Sequence, residues 1–307
     1  MSFAHAQICA QLFDQPHLYH PGKAAAFIRA LGPELTGHQI TIVNGADEVD
    51  HVAFANGRPS AGVIGDRLGR AYDRAGYPPF DMIGNVAIIP VEGTLVQKGA
   101  WLGSSSGETS YQGLNVQIAR ARSREDVKGV VFEIDSFGGQ GNGVFETAEN
   151  LRQLSKEKPT LAILTDYAYS AGYALACNAR AIAIPEFGGA GSIGVVMMHA
   201  DFSGKLGQDG VAITFVYSGA HKVDGHPFLP LPEETKARWQ AGVDAMRDRF
   251  AQVVGLGRGK RFTKAAALKT EALDYDAADA LKLGLVDEIA KPQDVFADFL
   301  KQINGRH

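Results

Sequence analysis

From about residue 80 onward, short apolar runs alternate with segments whose apolar positions recur three and four residues apart. The runs are Asn85 to Val91 (NVAIIPV), Gly129 to Ile134 (GVVFEI), Thr160 to Thr165 (TLAILT), Ala181 to Pro185 (AIAIP) and Val211 to Val216 (VAITFV). Their length and β-branched content predict five buried strands. Tyr111 to Ser123 and Gly143 to Lys156 carry helical apolar spacing with charges on the opposite face, and further helices are predicted near Glu233 to Val254, Thr263 to Lys269 and Ala277 to Leu283. Strands alternating with helices imply an α/β fold with parallel sheets. Before residue 80 the pattern is irregular: a helical stretch at Gly22 to Leu31 behind Pro21, a polar middle, and a second helical stretch at Asp66 to Ala75. Tyr77-Pro78-Pro79 then punctuates the chain. The expected organisation is a small, mostly helical N-terminal extension over residues 1–80 and a main domain over 81–307.

Composition changes this picture in one respect. A net charge of −4, with 21% charged and 45% hydrophobic residues, is ordinary for a globular protein and argues against nucleic acid as the main partner. Glycine stands out, with 36 in 307 residues against an average near 7%. Its densest clusters are FGGQGNG (Phe137 to Gly143), SAG (Ser170 to Gly172) and FGGAGSIG (Phe187 to Gly194), all at predicted strand ends. In a parallel sheet those ends are where ligands sit. Two cysteines, Cys9 and Cys177, have no metal-ligand spacing, and the histidines show none either. The first residues do not read as a signal peptide, and no run of about 18 apolar residues suggests a membrane span. A cytoplasmic, membrane-free protein is expected.

Three places could carry chemistry. Ser170 lies between the strand TLAILT and a segment, ALACNA, that reads as a buried helix. On local pattern alone it is first an N-cap, with a nucleophile beside free helix amides as the alternative. Gly138 and Gly139 let the backbone approach a ligand closely and aim amides at it, as an oxyanion site or simply as a turn. Lys222, in YSGAHKVDGHP, is a solvated charge unless desolvation leaves it neutral enough to serve as a base. His199, His221 and His226 are competing bases, because a triad is recognised by geometry and not by chain order.

Taken in order, the SFGG turn, YSAGY around Ser170, GSIGV at Gly191 to Val195, YSGAHKVDG around Lys222 and ALKLGLVDEI at Ala280 to Ile289 resemble the signal peptide peptidase A family of serine peptidases. That family belongs to the Clp peptidase and crotonase superfold, and the resemblance spans roughly residues 85–289. It implies a repeated β-β-α superhelix with parallel sheets, a Ser-Lys dyad and no metal or organic cofactor. Ser170 matches the nucleophile, and Lys222, 52 residues later, the general base. Gly138 or Gly139 and the amide of Ala171 match the oxyanion donors, and Ser192 matches a serine placed beside the lysine. Phe137 departs from the family pattern, which has proline there to pre-set the turn.

Within the family, the HKVDG segment followed by Leu231-Pro-Glu-Glu, and FDQPHLYHPGKAAAFIRAL near the N-terminus, most resemble the head maturation proteases of lambda-like tailed phages, the minor capsid protein C type. The implied substrates and partners are scaffold, capsid and portal proteins, inside a procapsid in the host cytoplasm. A homo-oligomeric ring is implied too, with the lysine supplied either within the chain or by a neighbour. The rival readings are a cellular peptidase that degrades cleaved signal peptides and a crotonase-type acyl-CoA enzyme.

Overall fold

The computed structural model describes residues 16–19, 66–105 and 107–305; the helix expected at Gly22 to Leu31 lies outside them. The elements in chain order are β1 (His17–Tyr19), α1 (Arg67–Ala75), β2 (Asp81–Ile83), β3 (Val86–Glu92), β4 (Thr94–Val96), β5 (Ser104–Ser105), β6 (Glu108–Ser110), α2 (Tyr111–Ser123), β7 (Gly129–Ser136), β8 (Gly138–Gln140) and α3 (Val144–Glu157). They continue with β9 (Thr160–Tyr169), α4 (Ala171–Ala176), β10 (Ala181–Ile184), β11 (Gly189–Gly191), α5 (Ser203–Gln208), α6 (Glu233–Arg258), α7 (Lys264–Lys269), β12 (Asp274–Asp276), α8 (Ala277–Leu283), β13 (Glu288–Ile289) and α9 (Pro292–Asn304).

The larger sheet runs β2-β3-β7-β9, and its β3-β7-β9 centre is parallel. The outer edge of β9 is shared: its first half pairs with β10 and its last residues with β11, both parallel. A smaller sheet has the order β1-β8-β4-β6-β5. Twice the chain lays a strand in the large sheet, a short strand in the small one and then a helix: β3, β4 and α2, then β7, β8 and α3. The α/β expectation with parallel sheets and a recurring β-β-α unit holds.

The central strands are apolar on both faces because both faces are covered. Along β7 and β9, Val130, Phe132, Ile134, Ala162 and Leu164 join the main core with α2, α3, α4 and α6. Val131, Leu161 and Ile163 face a second core under Val295 and Ile303 of α9. Pro90 sits within β3 without breaking it, since β2 covers only Val86 to Ile88 and residue 90 has a partner strand on one side alone.

Two sequence expectations need correction or extension. Val211 to Val216 forms no strand; the segment lies without ladder partners among the described residues, with Val216 99% exposed. Its β-branched composition is real, but propensity forms a strand only beside a partner edge. The short strands β4, β8 and β11 were not anticipated, because runs of three residues, two of them glycine-rich, carry no readable period; the 13-residue helix α9 was missed although Val295, Phe296, Phe299, Leu300 and Ile303 recur at helical spacing.

One buried ion pair ties the end of α6 to the last turn before β13. The Arg258 guanidinium, 1% exposed, meets both Asp287 carboxylate oxygens at 2.8 and 2.9 Å and donates twice to the Gly284 carbonyl. Asp287 also accepts from the Ile182 amide and from Arg261. Burial by itself would raise the Asp287 carboxyl, but the hydrogen bonds and charge of Arg258 hold it below the usual carboxylate value.

Candidate active site

The site is assembled where β7 and β9 end. Strand β9 overruns β7 through a register shift, so that Ser136 pairs with Ala168 beyond the regular ladder. Beyond Tyr169 the chain turns sharply, and Ser170 adopts φ 54° and ψ −118°, a backbone conformation that costs a non-glycine residue of the order of 1–3 kcal/mol. It is held from both sides: the Ser170 amide donates to the Gly191 carbonyl at 2.9 Å, and its carbonyl accepts from Ala174 at 2.9 Å.

The Ser170 side chain does not cap α4. The N-cap reading favoured by the local pattern therefore fails, because the turn rotates the hydroxyl away from the helix amides. Instead Oγ is buried without a hydrogen-bond partner in a residue that is 0% exposed. An orphaned buried hydroxyl costs about 1–3 kcal/mol. Backbone strain and an unsatisfied hydroxyl on one residue are the signature of a functional constraint. Helix α4 is only six residues, all of them buried, and Tyr173 anchors it by donating to the Leu285 carbonyl at 2.8 Å. So short a helix acts through individual amides, that of Ala171 foremost, more than through a macrodipole.

The glycine loop packs directly against this turn. A Cβ on Gly138 (φ 103°) would stand 3.0 Å from Ser170 Cβ and 2.0 Å from the Leu18 carbonyl oxygen; one on Gly139 would stand 1.9 Å from the Leu95 carbonyl oxygen. No other residue fits either position. Ser136 braces the loop: its hydroxyl donates to the Gly93 carbonyl at 2.7 Å and accepts from the Gly138 amide at 3.1 Å. Phe137, where the family pattern has proline, packs its ring on Tyr167 and Tyr169 at 5.1 and 5.5 Å between centroids, and the two tyrosines stack on each other. Aromatic packing thus takes over the restraint that a proline ring would supply. Burial, with Asp274 next in effect, pushes the Tyr169 phenol up to about 12, so it stays neutral.

Ser192 occupies the equivalent turn one strand over. Gly191 pairs with Tyr169, so Ser192 and Ser170 follow neighbouring positions in parallel strands. Ser192 also has positive φ, 55°, and is buried.

Lys222 is not brought to Ser170 within the chain. It lies exposed on a turn, its amide bonded to the Gly219 carbonyl, and its ammonium makes no hydrogen bond or ion pair with any described residue. The histidines do not replace it. His199 meets the His226 carbonyl at 3.3 Å, His226 accepts from the Phe228 amide, and His221 pairs with Asp224 at 2.9 Å. Cys177 is buried, which pushes its thiol up to about 12, far from a reactive thiolate.

Sequence reasoning missed one part of the site. Strand β1 runs antiparallel along the glycine loop, with Leu18 opposite Gly139 and Tyr19 opposite Gly138. On its other side, His17 exchanges backbone hydrogen bonds with Val196, at 2.7 and 2.8 Å. The only local signal was a short run between Pro16 and Pro21.

Residues 152–304 match the model of Peptidase family S49. The chain is 32% identical over 300 residues to head-tail preconnector protein GP5 of Enterobacteria phage P21, covering 98% of this chain and 58% of that protein. It is also 32% identical over 300 residues to capsid assembly protease C of Escherichia phage lambda, covering 97% of this chain and 66% of the relative. Serine protease SPPA of Arabidopsis thaliana chloroplasts is 30% identical over 205 residues, 66% of this chain and 30% of that one. The chain therefore spans less than two thirds of the length of either phage relative. Among solved structures, an enoyl-CoA hydratase from Shewanella pealeana aligns over 73% of this chain and 72% of its own, with 14% identity and a TM-score of 0.42.

Proposed function

The chain carries a peptidase family S49 domain, and we propose that it is a serine endopeptidase in which Ser170 is the nucleophile and Lys222 the general base. The observation that carries this reading is the strained, buried and unpartnered Ser170 hydroxyl against the Gly138 loop. In the proposed reaction neutral Lys222 takes the Ser170 proton as Oγ bonds to a peptide carbonyl carbon. The carbonyl oxygen becomes an oxyanion facing the amides of the glycine loop and of Ala171, each such donor typically contributing roughly 10²–10³ in rate. Collapse of the intermediate breaks the C–N bond, and the protonated lysine gives its proton to the leaving amine. Water, deprotonated by the same lysine, then attacks the acyl-serine and returns the serine hydroxyl. Ser192 is read as a support for the lysine beside Ser170.

Because Lys222 is exposed in the single chain, the reading that fits is a homo-oligomer in which the lysine of one subunit serves the serine of the next. The segment bearing it supports this, since Val211, Ile213, Val216 and Tyr217 are exposed large apolar residues. A lysine covered at such an interface also meets the requirement for a neutral base. The named activities of the phage relatives favour scaffold, capsid and portal proteins as substrates, cleaved during head assembly in the host cytoplasm. Among the described residues no helix is long and apolar enough to cross a membrane.

The deciding experiment is labelling with a fluorophosphonate probe followed by peptide mapping. A stoichiometric adduct on Ser170, absent from Ser170→Ala, is expected. An adduct elsewhere, or none under conditions where the protein cleaves a peptide substrate, would refute the assignment.

A further inference from the structure

Ser170 is 0% exposed, and the Leu18 carbonyl, from a separate segment of the same chain, lies close to it across Gly138. Strand β1 inserts between β8 and the chain at Val196, bonded along both edges. Leu18 is wholly buried in the main core. Its carbonyl oxygen and Ser170 Cβ flank a single point, the position of a Cβ on Gly138, at 2.0 and 3.0 Å. The extended backbone of β1 thereby presents a peptide carbonyl to the glycine loop beside the nucleophile. A substrate peptide added as a strand would have to make this same presentation.

We propose that His17–Tyr19 is an internal stand-in for the substrate strand, which seats Leu18 beside Ser170 and closes the site until it is displaced. The proposal rests on the reading of Ser170 as nucleophile. Its physical basis is the occupancy of both edges of the groove: no second peptide can pair with β8 or with Val196 while β1 does. The device is also reversible. Three residues, of which His17 and Leu18 are wholly buried, make a short local unit whose opening lies below global unfolding. A competing strand with a better apolar fit can therefore exchange with it, which makes the enzyme responsive to the local concentration of substrate segments.

The test uses the full chain and its Leu18→Asp variant, in which a carboxylate would have to be buried for β1 to dock. Should that variant fold poorly, His17→Pro removes the amide donated to the Val196 carbonyl together with the buried imidazole, with no charge added. Two quantities are read: hydrogen exchange at the Val196 amide, which donates to the His17 carbonyl, and the rate of fluorophosphonate labelling of Ser170. The variant is expected to lose at least tenfold in protection and to label at least tenfold faster. A synthetic peptide of residues 14–22 should reverse both changes. Unchanged protection, or lost protection while both proteins label at the same measurable rate, overturns the proposal. If neither protein labels while protection is lost and the peptide restores it, β1 holds the groove and the nucleophile assignment is what fails.

Discussion

The two halves of the proposed dyad sit in opposite surroundings. Ser170 is enclosed by β9, β11, α4, the glycine loop and β1, and its backbone is bonded on both sides. Lys222 lies on an open turn of a segment, residues 195–232, that contains only the six-residue α5 and an unpaired stretch at 211–217. The serine half is therefore complete by contacts within one chain, strain included. The lysine half has composition suited to burial, with apolar Val211, Ile213 and Val216, but these are left exposed. On the proposed reading, the difference corresponds to a nucleophile preorganised by the fold and a base that depends on assembly.

The largest expected effect tests the enclosed half. Ser170→Ala should lower kcat by at least about 10⁴-fold while leaving the melting temperature equal or slightly raised, since the orphaned hydroxyl is removed; a peptide-cleavage assay with calorimetry checks both. The next tests the exposed half. Lys222→Ala should lower kcat by about 10³-fold or more, with stability within about 0.5 kcal/mol of the parent because the side chain is exposed. The two inactive chains then break the comparison directly. If the dyad is shared, co-expressed Ser170→Ala and Lys222→Ala chains should recover about a quarter of wild-type activity, the share of interfaces that join two intact partners in a randomly mixed ring. No recovery from mixed particles would mean that serine and lysine belong to one chain.

The same contrast explains what could be read without coordinates. Strands β3, β7, β9 and β10 and helices α2, α3 and α6 were legible because each buries an apolar face with a regular period against the chain's own core. The β7-to-β8 turn and the Ser170 turn were legible through glycine and motif order. Whether Ser170 caps a helix or points away from it depends on φ and ψ, which pattern does not encode. The failure at Val211 to Val216 has a different cause. Its β-branched, apolar composition is that of a strand, but pairing is a property of two segments, and no described partner edge faces it. Strand β1 was illegible because its pairing with Gly138 to Gln140 crosses more than a hundred residues and involves two glycines with no side-chain pattern.

Smaller effects are expected away from the dyad, and they measure how far the fold supports the enclosed half. Arg258→Ala leaves the partly buried Asp287 carboxylate without its main partner but still bonded to Arg261 and the Ile182 amide, a loss of about 1–3 kcal/mol, visible as a lower urea midpoint at unchanged slope. The pH dependence has a definite sign. The folded Asp287 pKa lies below its unfolded value, near 3.9, so its contribution is fully present above that value. It is lost as pH falls through the lower, folded value. The Arg258→Ala protein should show a shallower decline in stability over that acid range than the parent.

The smallest effect belongs to the open segment. Asp224 pairs there with Arg238 and His221, and the bond with Arg238 holds its carboxyl below the usual value. Arg238 and His221 are solvent-exposed, so the cluster is screened and Asp224→Asn should leave the stability of the isolated chain nearly unchanged. Its effect on activity should be larger if the turn carrying Lys222 must keep its shape when a neighbouring subunit covers it. A rise in KM or a loss of assembled particles in sedimentation, with the monomer's melting temperature unchanged, would place the contribution of Asp224 at the interface. Equal, small losses in both states would make it an ordinary surface ion pair and leave the order of the lysine half to contacts that form only on assembly.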